Sequence, residues 1–387
     1  MTFKYFYWLW LALLAGSGLA QQPGAAPLAN APEVLARDLG EHILRIDVSV
    51  KDMYGRQESR SVPITVYRPK GEGPFPLVVF NHGRAVEAKR AAQGRYRPEA
   101  AARYLVAKGF VVMVPNRIGY WETYGDFDPE HSACRSIEAM SIAASEQVLA
   151  TVAFAKTLGY VDTSRWLVAG QSVGGLTAVA TVGRSPVGLL GGINFSGGTG
   201  GNPDRHPGRP CNPAATSRYW ADIAKNAKAP MLWLYWQNDK FWGPDIPKSW
   251  HQAWVDGGGA AKFVAFGPSG EDGHGGLTRD MVHWLPVVDA FLAELGFTAA
   301  AIVVKPAPSG FADIADARWV PISAAARASG YSKFLEAKAP RAFAVGDRGA
   351  WSLSLGDYAH GNALGNCQRH GQVCKLYAVD DDVVWQR

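Results

Sequence analysis

The stretch Trp166-Leu-Val-Ala-Gly-Gln-Ser-Val-Gly-Gly175 decides how this chain is read. An apolar, β-prone run enters the pattern Gly-x-Ser-x-Gly, with Gly170, Ser172 and Gly174 at its fixed positions. The residues from Leu176 to Val182 are small and apolar enough to start a buried helix. Strand, sharp turn and helix in that order predict a nucleophile elbow. Glycines two before and two after the serine are needed because such a turn brings strand and helix backbone together where a Cβ would clash. The turn lifts the serine hydroxyl clear of the sheet. The start of the helix aims backbone N–H groups at any negative charge that develops there.

Outward from this point, the same texture recurs. Ile43 to Val50 and Ser61 to Tyr67 alternate with period two and predict two strands joined by a turn near Gly55. Phe75-Pro-Leu-Val-Val-Phe-Asn-His-Gly83 is a continuous apolar run ending in His-Gly, as in a strand covered on both faces. Further strands are expected at 110–115, 165–170, 187–195, 229–236 and 261–266, and helices at 98–108, 135–158, 216–227, 246–254 and 281–295. This alternation predicts an α/β protein with a doubly wound, mostly parallel sheet, its ligand site at the carboxyl ends of the strands.

Composition sets the outer bounds. The 387 residues are 48% hydrophobic and 19% charged, with a formal net charge of +5, which is ordinary globular composition. No dense Lys/Arg run exists, so nucleic-acid binding has no support. Residues 1–20 carry Lys4, an apolar stretch from Tyr5 to Ala15 and the small-residue exit Gly18-Leu-Ala20, and read as a cleaved signal peptide. Export to the periplasm or the extracellular space is expected, and no later segment is expected to be long and apolar enough to span a membrane. Residues 21–32 read as a flexible leader, 33–298 as the main domain, 299–340 as a linker, and 341–387 as a small C-terminal α+β unit, either a stapled cap or a surface-ligand module.

Four cysteines in an exported chain suggest two disulfides. Of the three possible connectivities, the expected one pairs Cys367 with Cys374 locally, closing a loop of eight residues that would contribute about 2.5 kcal/mol. Cys134 and Cys211 would then pair across the chain, at the far ends of two long loops, 116–133 and 197–215, that leave strand ends. None of the four has the spacing of a metal ligand set.

A nucleophilic serine needs a base, an acid to orient the base, and N–H donors for an oxyanion. After an elbow of this kind the chain order is serine, acid, histidine. Among His251, His274, His283, His360 and His370, the base is expected at His274, in Gly270-Glu-Asp-Gly-His-Gly-Gly276 after the last main strand. Asp239 directly follows the apolar run Met231–Trp236 and is the expected acid, with Asp245 and Asp272 as substitutes. Val173 and Arg84 are the expected backbone oxyanion donors, with His82 shaping the loop. Trp121, Trp236 and Trp242 are candidate substrate-binding residues at the rim, although most of the 14 tryptophans must be core. Arg84, Arg117 and Lys240 are candidates for an anionic substrate group.

Together Phe80-Asn-His-Gly83, Gly170-Gln-Ser-Val-Gly174, Gln237-Asn-Asp239 and Gly273-His-Gly275 resemble the α/β-hydrolase superfamily, closest to its dienelactone-hydrolase and prolyl-oligopeptidase-like branch. The resemblance covers about residues 40 to 297. It implies an enzyme, a serine hydrolase without metal or organic cofactor, cleaving a small-molecule or oligomeric carboxylic ester through Ser172, His274 and Asp239 and an acyl-enzyme. The chain departs from both branches: Ser172 stands where dienelactone hydrolases carry cysteine, and the stretch before Leu44 is too short for an oligopeptidase propeller. The alternatives are a serine peptidase of the oligopeptidase-like branch and a surface-ligand binding protein on a hydrolase scaffold.

Overall fold

The period-two segments and the continuous apolar runs occupy different parts of one sheet. The structure is a computed structural model and describes residues 35–386 apart from 86, 132–133, 300–304, 357–358, 369 and 371–372. The expected signal peptide and leader lie outside the described residues. Residues Ala36–Arg387 form one compact unit.

Eight strands, β1 (His42–Lys51), β2 (Gln57–Tyr67), β3 (Phe75–Asn81), β4 (Val111–Pro115), β5 (Val161–Gln171), β6 (Leu189–Phe195), β7 (Met231–Trp236) and β8 (Ala261–Phe266), pair in the order β1-β2-β4-β3-β5-β6-β7-β8. The β1–β2 and β2–β4 pairs are antiparallel, and every pair from β4 across to β8 is parallel. β1 alternates between exposed and buried positions over its second half because it is an edge strand with one covered face. β4 and β7 are buried at every position, which is why their sequences are unbroken apolar runs.

Alternate residues of each central strand go to different cores. Leu77, Val79 and Val168 face one side, with Val148 of α2 (Ile137–Ala155), Leu176 and Val179 of α3 (Val173–Gly183), Trp220 of α4 (Pro213–Ala224) and Trp250 and Trp254 of α5 (Ile246–Asp256). Val78, Phe80 and Leu167 face the other, with Leu105 of α1 (Glu99–Ala107) and Trp284 of α6 (Met281–Glu294). This is the doubly wound arrangement expected from the strand–helix alternation.

The expectation that no later segment reaches membrane-spanning length and apolarity does not hold for α2. Its 19 residues are long and apolar enough to cross a bilayer by length and composition, and half of that span is buried inside the fold. Its apolar character has a packing reason: the helix lies against α3, α4 and the strands, so little of its circumference needs to be polar.

The expected small C-terminal α+β unit is present, and what differs from expectation is the stretch ahead of it and how the unit is packed. β9 (Arg341–Gly346), β10 (Trp351–Leu355), β11 (Cys374–Val379) and β12 (Asp382–Val383) form an antiparallel sheet in the order β10-β9-β11-β12. Ala342, Ala344 and Leu376 on one face join the main core together with Ala363 and Leu364 of α7 (Ala359–Gln368), so the unit is continuous with the main domain. On the other face Phe343, Val345 and Tyr377 are covered by Val320, Ile322, Tyr331 and Phe334. These four come from the stretch expected to be a linker. Its Ala and Pro content concealed a few well-spaced apolar anchors, and from residue 305 onward it is folded onto the sheet.

Both expected disulfides are present, Cys134–Cys211 with Cα atoms 5.6 Å apart and Cys367–Cys374 with Cα atoms 6.0 Å apart.

Candidate active site

Ser172 stands between β5 and α3 with φ 59° and ψ −122°, a positive-φ conformation that strains any residue with a side chain. The surroundings hold it there. A Cβ on Gly174 would lie 2.0 Å from the Asn81 carbonyl oxygen, and one on Gly170 would lie 2.3 Å from the Gly174 carbonyl oxygen. The end of β3, the end of β5 and the first turn of α3 therefore meet backbone to backbone. The Ser172 N–H donates to the Phe195 carbonyl, and its own carbonyl accepts from Gly198.

Asp239 and His274 come together from two other loops. Nδ1 of His274 lies 3.0 Å from Oδ2 of Asp239, and since a carboxylate only accepts, the imidazole proton sits on Nδ1. Oδ1 of Asp239 accepts the backbone N–H groups of Phe241 at 2.8 Å and Trp242 at 3.2 Å. Asp239 is 2% exposed, whereas Ser172 and His274 are each 8% exposed, so the carboxylate is the more deeply buried of the three. The Phe241 ring stacks on His274 with centroids 3.9 Å apart, and Trp242 meets it edge-on at 5.5 Å.

The His274 loop is packed rather than loose, contrary to its Gly-rich appearance. A Cβ on Gly273 would lie 2.6 Å from the Trp236 Cβ, and one on Gly276 would lie 2.2 Å from the Trp236 ring. The glycines let this backbone lie directly on Trp236. Asp272, a substitute acid in sequence terms, instead accepts the N–H groups of both His274 and Lys240 through Oδ1, tying the two loops together. Asp245 is exposed and pairs with Lys248.

The loop after β3 touches the elbow. A Cβ on Gly83 would lie 3.2 Å from the Ser172 Cβ, which brings the Gly83–Arg84 peptide beside the serine. His82 orients that peptide. Its Nε2 accepts the Arg117 N–H at 3.1 Å, so Nδ1 carries the proton and donates to the Gly83 carbonyl at 2.7 Å. Burial, and then the nearby Arg117 cation, hold His82 well below its ordinary titration range, so it stays neutral.

Several residues expected at the rim are elsewhere. Trp236 is 1% exposed, with Nε1 donating to Asp280 at 2.7 Å; it is the floor under the His274 loop. Trp242 is also 1% exposed, donating to the Ser196 carbonyl, and it supports the imidazole. Trp236 ends a core strand and is covered by the Gly273–Gly276 backbone, while Trp242 turns inward against Gly198 and Trp250, and this defeats the rim assignment. Trp121 is half-buried in the 3₁₀ turn Trp121–Thr123, on the side of β1, where Glu122 pairs with Arg45. Arg117 is fully buried against Glu130 at 2.6 Å, and the Arg84 side chain pairs with Asp128 and bonds to Tyr120. Burial would raise the Asp128 carboxyl, but Arg84 and Arg90 outweigh it and hold Asp128 below the usual carboxylate range. The Arg84 and Arg117 side chains thus serve an internal ion network.

Sequence reading passed over Gln171, which donates from Nε2 to the His274 carbonyl at 2.6 Å. It also passed over Phe241. The only signals available were that Gln171 precedes Ser172 and that Phe241 stands two residues after Asp239.

The strand order, the elbow after β5 and the placement of Asp239 after β7 and His274 after β8 are those of the α/β-hydrolase fold. No known protein family and no curated protein matches the chain in sequence. Among solved structures it is similar to a Klebsiella pneumoniae protein provisionally described as a dienelactone hydrolase, with TM-score 0.42 and 19% identity over 66% of this chain and 98% of that one. It is similar to Pyrococcus horikoshii acylaminoacyl peptidase, with TM-score 0.44 and 15% identity over 67% of this chain and 42% of that one, so it spans less than half of the peptidase. It is also similar to an esterase of Pyrococcus furiosus, with TM-score 0.46 and 12% identity over 68% of this chain and 98% of that one.

Proposed function

We propose that this chain is an exported serine hydrolase that cleaves a carboxylic ester. Ser172 attacks the ester carbonyl while Nε2 of His274 takes its proton, and Asp239 holds the imidazole with Nδ1 protonated and stabilises the imidazolium that forms. The N–H groups of Val173, at the start of α3, and of Arg84, in the loop oriented by His82, receive the oxyanion. The alcohol leaves with the proton returned by His274. Water then attacks the acyl-enzyme by the same route and frees Ser172.

The observation that carries this reading is the His274–Asp239 hydrogen bond, buried at its carboxylate end and attached to the elbow of Ser172 through Gln171. Two disulfides support an oxidising destination. The test is labelling of the mature protein and its Ser172→Ala variant with a fluorophosphonate, followed by peptide mapping and by turnover of matched ester and amide substrates. Modification confined to Ser172 with esters preferred is the expected result. Amide preference would make the protein a peptidase, and no labelling of a folded wild type would leave a binding protein on this scaffold.

A further inference from the structure

We infer that the Gln171 side chain sets the separation between Ser172 and His274 and so acts as a positioning residue for the serine-to-imidazole proton transfer; this rests on the serine-hydrolase reading above. Gln171 is the last residue of β5, paired in register with Phe195 of β6, and is bonded directly to Ser172. Its amide reaches across to the backbone of the base, 2.6 Å from the His274 carbonyl.

The other supports of His274 have a different reach. Asp272 holds its N–H, Asp239 holds its ring nitrogen, and Phe241 covers its face. Those contacts fix the base within its own loop and against the loop after β7. Gln171 ties that assembly to the elbow through the residue next to the nucleophile. It also borders the third loop of the site: a Cβ on Gly83 would lie 3.4 Å from the Gln171 carbonyl oxygen and 3.7 Å from its Oε1. The amide is thus wedged between the loop that bears the base and the loop that bears the Gly83–Arg84 peptide.

Proton transfer needs the two groups within hydrogen-bond reach, and a displacement on the order of 1 Å costs about 100-fold in rate. Gln171 is only half-buried and fills little core volume, so its loss should act on geometry more than on folding.

The experiment compares wild type with Gln171→Glu, which keeps the shape but sets an acceptor against the His274 carbonyl, and Gln171→Met, which keeps the length without a donor. Ser172→Ala is the blank. We expect kcat on a p-nitrophenyl ester to fall about 10- to 100-fold in both variants with KM nearly unchanged. The rate of fluorophosphonate labelling should fall in proportion, and the acid limb of the pH–rate profile should move, with melting temperature held. The downfield proton resonance of the His274–Asp239 hydrogen bond should broaden. If Gln171→Glu fails to fold, Gln171→Met carries the test. Activity within twofold of wild type, a loss expressed in KM alone, or a lower kcat with the pH profile and resonance unmoved would overturn the inference. Wild type that does not label at Ser172 would instead overturn the hydrolase reading on which it stands.

Discussion

Asp239 divides its two oxygens between two loops: Oδ2 meets Nδ1 of His274 at 3.0 Å, while Oδ1 is taken by the N–H groups of Phe241 and Trp242 in its own loop. The carboxylate has backbone partners of its own, independent of the imidazole that it orients. Asp239→Asn can offer Nδ2–H in place of an acceptor and so select the wrong imidazole tautomer. Esterase activity should fall by roughly 10³- to 10⁴-fold, with the fold intact by circular dichroism; a loss under tenfold would remove Asp239 from the proposed mechanism.

Gly174 tests the elbow. Because an added Cβ would stand 2.0 Å from the Asn81 carbonyl oxygen, Gly174→Ala must push β3 or α3 away. Destabilisation of about 3 kcal/mol or more is expected, read as a lower urea midpoint or as insoluble protein. Gly55 is the control: a Cβ added there would meet nothing within 4 Å, although its φ is 81°, so Gly55→Ala should show only the smaller backbone cost.

Glu41 tests the ion network beneath the sheet edge. It bonds to Arg95 and Arg97 with its carboxylate fully buried. Burial would raise its pKa, but Arg97, the Ala36 N–H and Arg95 outweigh that and hold it below the usual carboxylate range. A carboxyl depressed in the folded state contributes stability that is present above its unfolded value and lost as pH falls through the folded one. Glu41→Gln should therefore cost about 3–5 kcal/mol at pH 7, and the gap from wild type should narrow below about pH 4. Urea unfolding at both pH values measures this; a constant gap would contradict it.

Cys134–Cys211 joins the residues just ahead of α2 and α4. The same loop bonds to Ser172 through Gly198 and to Lys240 through Gly208. Cys211→Ser should lower stability by about 2–4 kcal/mol and weaken ester turnover, and reduction of wild type should reproduce both effects in thermal melts and assays. No change on reduction would show that the loop is held without the bridge.

Arg341 tests the C-terminal unit. Its Nη1 donates to the Phe334, Leu335 and Ala337 carbonyls, and Nε donates to the Asp380 carbonyl. Arg341→Met strands these acceptors, of which the Phe334 and Asp380 carbonyls are buried, with an expected loss of about 2–4 kcal/mol. Because this sheet shares the main core, unfolding should remain a single transition in calorimetry; a separate early transition would mark an independent domain.

Much of this molecule was legible in its sequence because the relevant signals are local. Uniform apolar runs marked β3, β4 and β7, Gly170 and Gly174 marked the backbone crossing around Ser172, and Asp239 and His274 stood at strand ends in the order the elbow requires. The closeness of Cys367 and Cys374 pointed to one pair among three possible connectivities, and the structure holds that pair and its complement. What only the tertiary structure decided are properties that depend on which surfaces meet. Trp236 and Trp242 read as rim residues, but the loop after β8 closes over Trp236, and the Gly198–Gly201 backbone and Trp250 close over Trp242. Arg84 and Arg117 read as free cations, but the loop after β4 brings Asp128 and Glu130 to them. The stretch before Arg341 read as a linker because a few anchors such as Val320 and Phe334 have no period until a sheet face is there to receive them. Gln171 carried no signal beyond its place beside Ser172: a side-chain amide acquires a role only from the carbonyl it reaches, and that carbonyl lies 103 residues away.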